Sequence, residues 1–164
     1  MRSAYFHIHQ LVEEMNLPEV SIVINNAGRS HCRRDSFLGI VYKDSILSLD
    51  MDEVENTFTT NVTSQLNVIR TFIPDLLNQQ VANIVNVSSL IARIPSAYLL
   101  SYAASKAAVH AFSNCLRVEF KSNDMDHIRV CTIHPQFVET GMFKGCFSES
   151  YAFYNIQMKS YVVV

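Results

Sequence analysis

The chain has 164 residues, of which 49% are hydrophobic and 17% charged, enough apolar material for one compact domain with a core of its own. A formal net charge of -2 leaves no broad basic field for a phosphate backbone or an anionic membrane surface, so nucleic acid is not an expected partner. No run of about 18 apolar residues occurs, and the opening MRSAYFHIHQ lacks the apolar stretch of a signal peptide.

Three short β-branched runs, Val20 to Ile24, Asn83 to Val87 and Arg129 to Ile133, read as buried strands. They are near-continuously apolar, as a sheet covered on both faces requires. In chain order, Ala4 to Met15 carries apolar residues at helical spacing and stops near Asn16 and Pro18. The first strand follows. Asp50 is then a plausible N-cap for a helix starting near Met51 and continuing, with a bend, through Asn61 to Leu77. After the second strand comes an Ala-rich helix over Tyr102 to Phe120, closed by Lys121 in its last turn, and then the third strand. This alternation predicts an α/β fold: a partial doubly wound, Rossmann-type parallel sheet with helices on both faces and right-handed crossovers. With no repeat and no Pro/Gly/Ser linker, residues 1–164 read as a single domain.

The four cysteines, Cys32, Cys115, Cys131 and Cys146, form no CxxC pair, and none of the six histidines stands at ligand spacing to them. Neither a metal centre nor a disulfide framework is signalled, and reduced thiols are expected.

The chemistry concentrates in VNVSSLIARIPSAYLLSYAASKAAV. Tyr102 and Lys106 are four apart in a helical stretch, so both project from one face. An ammonium near a phenol favours phenolate and draws a pKa of about 10 toward the working range of a general base. Ser89 closes a strand, where its hydroxyl is placed to hydrogen-bond a substrate oxygen. Alone, Tyr-x-x-x-Lys is a weak signal, expected by chance in roughly one chain in five of this composition, and a serine ending a strand is usually a turn residue. The signal sharpens with NNAG at Asn25 to Gly28 and with Asn61 in TTNV.

With these four elements in order, the chain resembles the short-chain dehydrogenase/reductase family over most of its length. The resemblance implies an oxidoreductase using NAD or NADP, with Tyr102 as catalytic acid/base and Lys106 supporting it and binding the nicotinamide ribose. It also implies that Ser89, rather than its neighbour Ser88, is the catalytic and substrate-binding serine, and that Asn61 supports a proton relay through water. By the same resemblance Asn26, Ala27 and Gly28 lie beside the cofactor, Gly28 permitting close backbone approach. In HPQFVETGMF, Pro135, Val138 and Thr140 map to the nicotinamide carboxamide. Gln136 replaces the family's usual glycine there, and Ala92 stands where a glycine often follows the serine.

The TGMFKG ending is most similar to the retinol and 17β-hydroxysteroid dehydrogenase branch. That implies a lipophilic alcohol or ketone substrate and a location at the endoplasmic reticulum or lipid-droplet surface. Members of the wider family often dimerise through the helices that here span Asn61 to Leu77 and Tyr102 to Phe120, so the family resemblance leaves a homodimer open.

Two departures stand out. The four glycines, at 28, 39, 141 and 145, allow no Gly-rich phosphate-binding turn. By resemblance the sequence opens at the helix before the family's fourth strand and stops before its last, an incomplete dinucleotide-binding domain. Second, Arg29 to Gly39 (RSHCRRDSFLG) reads as an eleven-residue insert, either a loop beside the nicotinamide site or sequence retained by imperfect splicing. Lacking core periodicity, it is expected to be exposed. Two other readings compete with the enzyme: a catalytically inactive fragment that associates with other chains through its sheet edge, and, on RSHCRRD alone, an arginine-bearing nucleic-acid binder.

Overall fold

A computed structural model describes residues 2–31, 34, 35, 41, 42, 44–94 and 96–136. Helix α1 (Arg2–Glu14) leads into strand β1 (Ile22–Asn25), and two short strands, β2 (Arg34–Asp35) and β3 (Val41–Tyr42), follow. Helix α2 (Met51–Phe58), a π-helical turn (Thr59–Thr63) and α3 (Ser64–Leu77) run on without a break. Then come β4 (Ala82–Val87), a 3₁₀ turn (Leu90–Ala92), α4 (Leu100–Ser122) and β5 (Ile128–Ile133).

The expected strands form a parallel three-stranded sheet in the order β1-β4-β5. Strand β1 lies one to two residues later than its apolar run suggested. Val20 packs against the core from outside the ladder, while Asn25 pairs with Asn86 inside it. Asp50 does cap α2, its carboxylate accepting from the Asp52 amide at 3.0 Å. The bend expected near Asn61 is the π-helical turn, one extra residue per turn at a fully buried asparagine.

One face of the sheet carries the core. Val23, Ala82, Ile84 and Ile128 meet Ile69 and Leu76 of α3 and Phe120 of α4, and α1 leans on α3 through His9 and Asp75, 3.2 Å apart. On the opposite face Ile22 and Ile24 are 55% and 63% exposed. The parallel sheet with helices packed against it is the Rossmann-type α/β arrangement expected, and among the described residues the core lies between the sheet and α3 and α4.

A polar row crosses the buried face near the carboxyl ends of the strands, since Asn25 pairs with Asn86 and Asn86 with Thr132. The Asn25 amide donates to Asn86 Oδ1 at 2.8 Å, Asn86 donates to Ser113 Oγ at 2.9 Å, and Arg117 donates to Thr132 Oγ1 at 2.8 Å. Each buried amide in the row is thereby partnered, as burial of polar groups demands.

Candidate active site

Because the strands are parallel, the segments that follow them emerge at one end of the sheet: 26–28 after β1, 88–89 after β4 and 134–135 after β5. Open α/β sheets hold their ligands there. Helix α4 brings Tyr102 and Lys106 to this end, and both are buried.

Tyr102, Lys106 and Ser89 converge. The Ser89 hydroxyl donates to Pro135 O at 3.4 Å and stands close enough to Tyr102 to act on the phenol's pKa, and Lys106 Nζ lies 5.8 Å from the centroid of the Tyr102 ring. Burial raises the phenol's pKa above its ordinary value, and the Ser89 hydroxyl acts in the opposite sense. Burial lowers the Lys106 ammonium to about 8, while one of its three N–H donors goes to Val87 O at 2.9 Å.

The two adjacent serines diverge. Ser88 donates to Lys106 O at 2.8 Å and ties the end of β4 to α4. Ser89, in extended conformation, caps the 3₁₀ turn and faces the phenol.

Asn61 reaches the same region through its amide. Its Oδ1 accepts from Arg29 N at 2.7 Å, and its Nδ2 donates to Arg29 O and to Ser105 Oγ, each at 2.9 Å. Ser105 in turn donates to Tyr102 O at 2.7 Å. Gly28 sits directly before this clamp. A Cβ on Gly28 would stand 3.2 Å from Lys106 Nζ and 3.5 Å from Asn61 Oδ1, so the glycine leaves the approach to the ammonium open.

Asn26 and Ala27 are exposed beside it. Pro135 lies against the serine, its carbonyl accepting from Leu90 N at 2.9 Å. Val138 and Thr140 lie outside the described residues.

The first three residues of the segment expected to be an exposed loop are partly covered. Arg29, Ser30 and His31 are half-buried. The guanidinium of Arg29 pairs with Glu53 in the first turn of α2, and His31 Nδ1 lies 3.1 Å from the same carboxylate. Further on, Arg34–Asp35 pairs antiparallel with Val41–Tyr42. A carboxylate meets the charge of the partly covered Arg29, and the Asn61 amide meets its backbone. Residues 32, 33 and 36–40 lie outside the described set.

Sequence reasoning missed three contributors. Asp44 is fully buried, and its carboxylate accepts from the Ser101 and Tyr102 amides at 2.9 and 3.3 Å. This explains why α4 begins at Leu100, two residues before the expected start. His134 Nδ1 stands 3.1 Å from Ser89 O; a carbonyl only accepts, so this nitrogen carries the proton. Ser105, inside YAASK, bridges Asn61 and Tyr102. Ser105 and His134 lay within recognised segments, YAASK and HPQFVETGMF, whereas Asp44 did not.

The arrangement is a buried phenol with a hydroxyl and an ammonium beside it, at the ligand end of a parallel sheet. That is the equipment for moving a proton to or from an oxygen next to a reacting carbon. The profile of the family described as short chain dehydrogenase matches residues 3–150, and the chain belongs to that family.

Among curated relatives, human retinol dehydrogenase 10 is 30% identical over 128 residues, covering 78% of this chain and 34% of the relative. Rat 17-beta-hydroxysteroid dehydrogenase 13 is 28% identical over 141 residues, covering 86% of this chain and 43% of the relative. These relatives belong to the branch that TGMFKG suggested, and the chain spans well under half the length of each. Among solved structures, a short chain dehydrogenase from Burkholderia cenocepacia in complex with NADP matches at TM-score 0.62 and 26% identity, over 78% of this chain and 48% of the other. A short-chain dehydrogenase from Streptomyces avermitilis shares the fold at TM-score 0.65 and 21% identity, over 85% of this chain and 45% of its own.

Proposed function

We propose that this chain carries the proton-transfer half of an NAD- or NADP-dependent oxidoreductase acting on a lipophilic alcohol or ketone. The observation that carries the reading is the meeting of Tyr102, Ser89 and Lys106 beside the bare Cα of Gly28. The Tyr102 hydroxyl gives its proton to, or takes it from, the substrate oxygen. Ser89 hydrogen-bonds that oxygen and stabilises the charge developing on it. Lys106 favours phenolate when the proton has left, and Asn61 holds the segment after Gly28 in place.

The residues fit a nicotinamide cofactor, since Gly28 leaves open the approach that a Cβ would narrow in front of the Lys106 ammonium. Bound there, the cofactor supplies or accepts the hydride. Asn26, Ala27 and Pro135 would line its nicotinamide end; Val138 and Thr140 are assigned to it by sequence resemblance alone.

Support for the substrate class comes from relatives named for retinol, estradiol and 17-beta-hydroxysteroids, all lipophilic alcohols. By the same likeness the protein would work at an endoplasmic reticulum or lipid-droplet surface. Among the described residues no helix is long and apolar enough to cross a membrane.

The test is oxidation of retinoid and steroid alcohols with NAD and NADP, and reduction of the matching carbonyls with NADH and NADPH. Tyr102→Phe is expected to lower turnover by about 10²-fold or more. Retained activity in that variant would remove the acid/base role.

One observation favours a second reading, association without catalysis. Among the described residues strand β1 stands at the sheet edge with Ile22 and Ile24 exposed, and an unpaired apolar strand of this kind templates pairing with another chain. Size-exclusion chromatography with and without Ile24→Lys separates the two. A homo-oligomer dissolved by the lysine, combined with no cofactor binding in calorimetry, would favour association. A cofactor-binding protein whose size is indifferent to the lysine favours the enzyme.

A further inference from the structure

The N-terminal turn of α4 has no capping side chain of its own. Leu99 precedes it and makes no side-chain bond to it, although the first N–H groups of a helix have no partner within the helix. Those groups are met from 57 residues upstream. Asp44 accepts from Ser101 N and Tyr102 N through its carboxylate and from Leu100 N through its carbonyl, the last at 3.4 Å. The residue is 1% exposed. Among the described residues no cationic side chain forms an ion pair with it.

A neutral asparagine, serine or threonine caps a helix nearly as well as aspartate, and burying a carboxylate without a cation is costly. The charge therefore has a use beyond closing the turn. Tyr102 is the third residue of α4, and its own amide is one of the two that Asp44 holds. The carboxylate thus fixes the backbone from which the phenol projects. It also offsets the positive end of the helix dipole, which would otherwise favour phenolate at this turn.

We propose that Asp44 is a positioning residue of the active site: it sets the first turn of α4 and keeps the Tyr102 phenol protonated until a proton is called for. The catalytic part of this statement rests on the oxidoreductase reading; the structural and electrostatic parts do not.

The experiment uses the full 164-residue chain with Asp44→Asn, which keeps the size and one acceptor oxygen but removes the charge, and with Asp44→Ala. Amide hydrogen exchange at Ser101 and Tyr102 is expected to accelerate at least about tenfold in Asp44→Ala. Unchanged protection there overturns the capping role. Should Asp44→Ala fail to fold, Asp44→Asn decides the proposal alone. In that variant the phenol is titrated by NMR of carbon-13 at tyrosine Cζ, with the resonance assigned through Tyr102→Phe. The midpoint is expected to fall by about half a unit, because removing the negative charge that holds the Tyr102 amide leaves the positive end of the helix dipole unopposed and makes phenolate easier to form. An unmoved midpoint in folded Asp44→Asn overturns the proposal.

Where turnover is measurable, the limb of the pH-rate profile that reports Tyr102 should move down by the same amount, with KM for the cofactor unchanged. A static limb beside a shifted NMR midpoint overturns the catalytic part. Absence of turnover in the unsubstituted chain counts against the oxidoreductase reading, while the exchange and titration results still decide whether Asp44 controls Tyr102.

Discussion

The side-chain amide of Asn61 grips Arg29 at both its backbone N–H and its carbonyl, at 2.7 and 2.9 Å, across 32 residues of sequence. A reciprocal pair of this kind copies one rung of a parallel ladder and fixes the segment after Gly28 against the π-helical turn. Asn61→Ala leaves Arg29 N and Arg29 O without this partner and empties a fully buried position. It should cost about 2 to 4 kcal/mol in urea unfolding, the sum of unmet hydrogen bonds and a small cavity. Asn61→Asp should be no milder, because it sets a buried carboxylate oxygen against the Arg29 carbonyl, which can only accept. A loss below about 0.5 kcal/mol in either variant would show that the clamp contributes little.

Gly28→Ala tests the approach to Lys106. The added methyl would meet the end of a flexible side chain at 3.2 Å, so the ammonium can move aside and the fold should survive with its unfolding midpoint little changed. Cofactor affinity should fall about tenfold or more, because the methyl narrows the space before Nζ and shifts its direction. Calorimetric titration with NADPH and NADH beside thermal unfolding reads both effects. Equal binding by the two proteins would contradict the placement of the cofactor.

Lys106 gives a pH signature. Its folded pKa, lowered by burial to about 8, lies below the unfolded value of about 10.4. Between these values the unfolded chain binds more protons than the folded one, so stability should rise as pH climbs from 8 toward 10. Below about pH 8 both states are protonated and the full cost of burying the ammonium is present. Tyr102, whose folded pKa is raised, acts in the opposite direction only above about pH 10, so the gain should turn over there. Urea midpoints at pH 7, 9 and 10 measure the rise, and Lys106→Met should flatten it. A rise that survives in Lys106→Met would have another source.

The neighbouring serines should separate stability from chemistry. Ser88→Ala leaves Lys106 O without the buried hydroxyl that meets it at 2.8 Å, and should cost about 1 kcal/mol of stability. Ser89→Ala removes the hydroxyl that faces the phenol. It should leave unfolding nearly unchanged and lower turnover by about 10²-fold, the size of effect seen when a donor to a developing oxyanion is lost. The reverse pattern would assign the serines the other way round.

Strand and helix order was legible because burial writes itself as runs of Val and Ile and as helical spacing, and all three strands and the helices between them lie where those runs stand. The spacing of Tyr102 and Lys106 showed that they share a helix face. What the sequence hid were contacts across long separations. Asp44 reaches α4 across 57 residues, and no local pattern distinguishes it from Asp50, which caps its own helix and was found. The partial covering of Arg29 was hidden for the same reason. Its charge looks like that of a solvated loop until Glu53 and Asn61, more than twenty residues on, are brought against it. Element ends shifted wherever such a distant partner decided them, as with Asp44 at Leu100 and Asn86 at Asn25.

The row of Asn25, Asn86 and Thr132 acts as an alignment mark for the three segments that leave the sheet. Sliding β4 by one residue would turn Asn86 to the open face and bring a valine toward Ser113. Sliding it by two would set Asn86 against Val23 and strand the Asn25 amide, each unmet group costing about 1 to 3 kcal/mol. A single step is also a displacement of about 3.3 Å, longer than a hydrogen bond, and Ser89 lies only three residues beyond Asn86. An error of one place in the sheet would therefore carry the serine out of reach of Tyr102. The buried amides that discourage that error keep the reacting groups in range of one another without touching them.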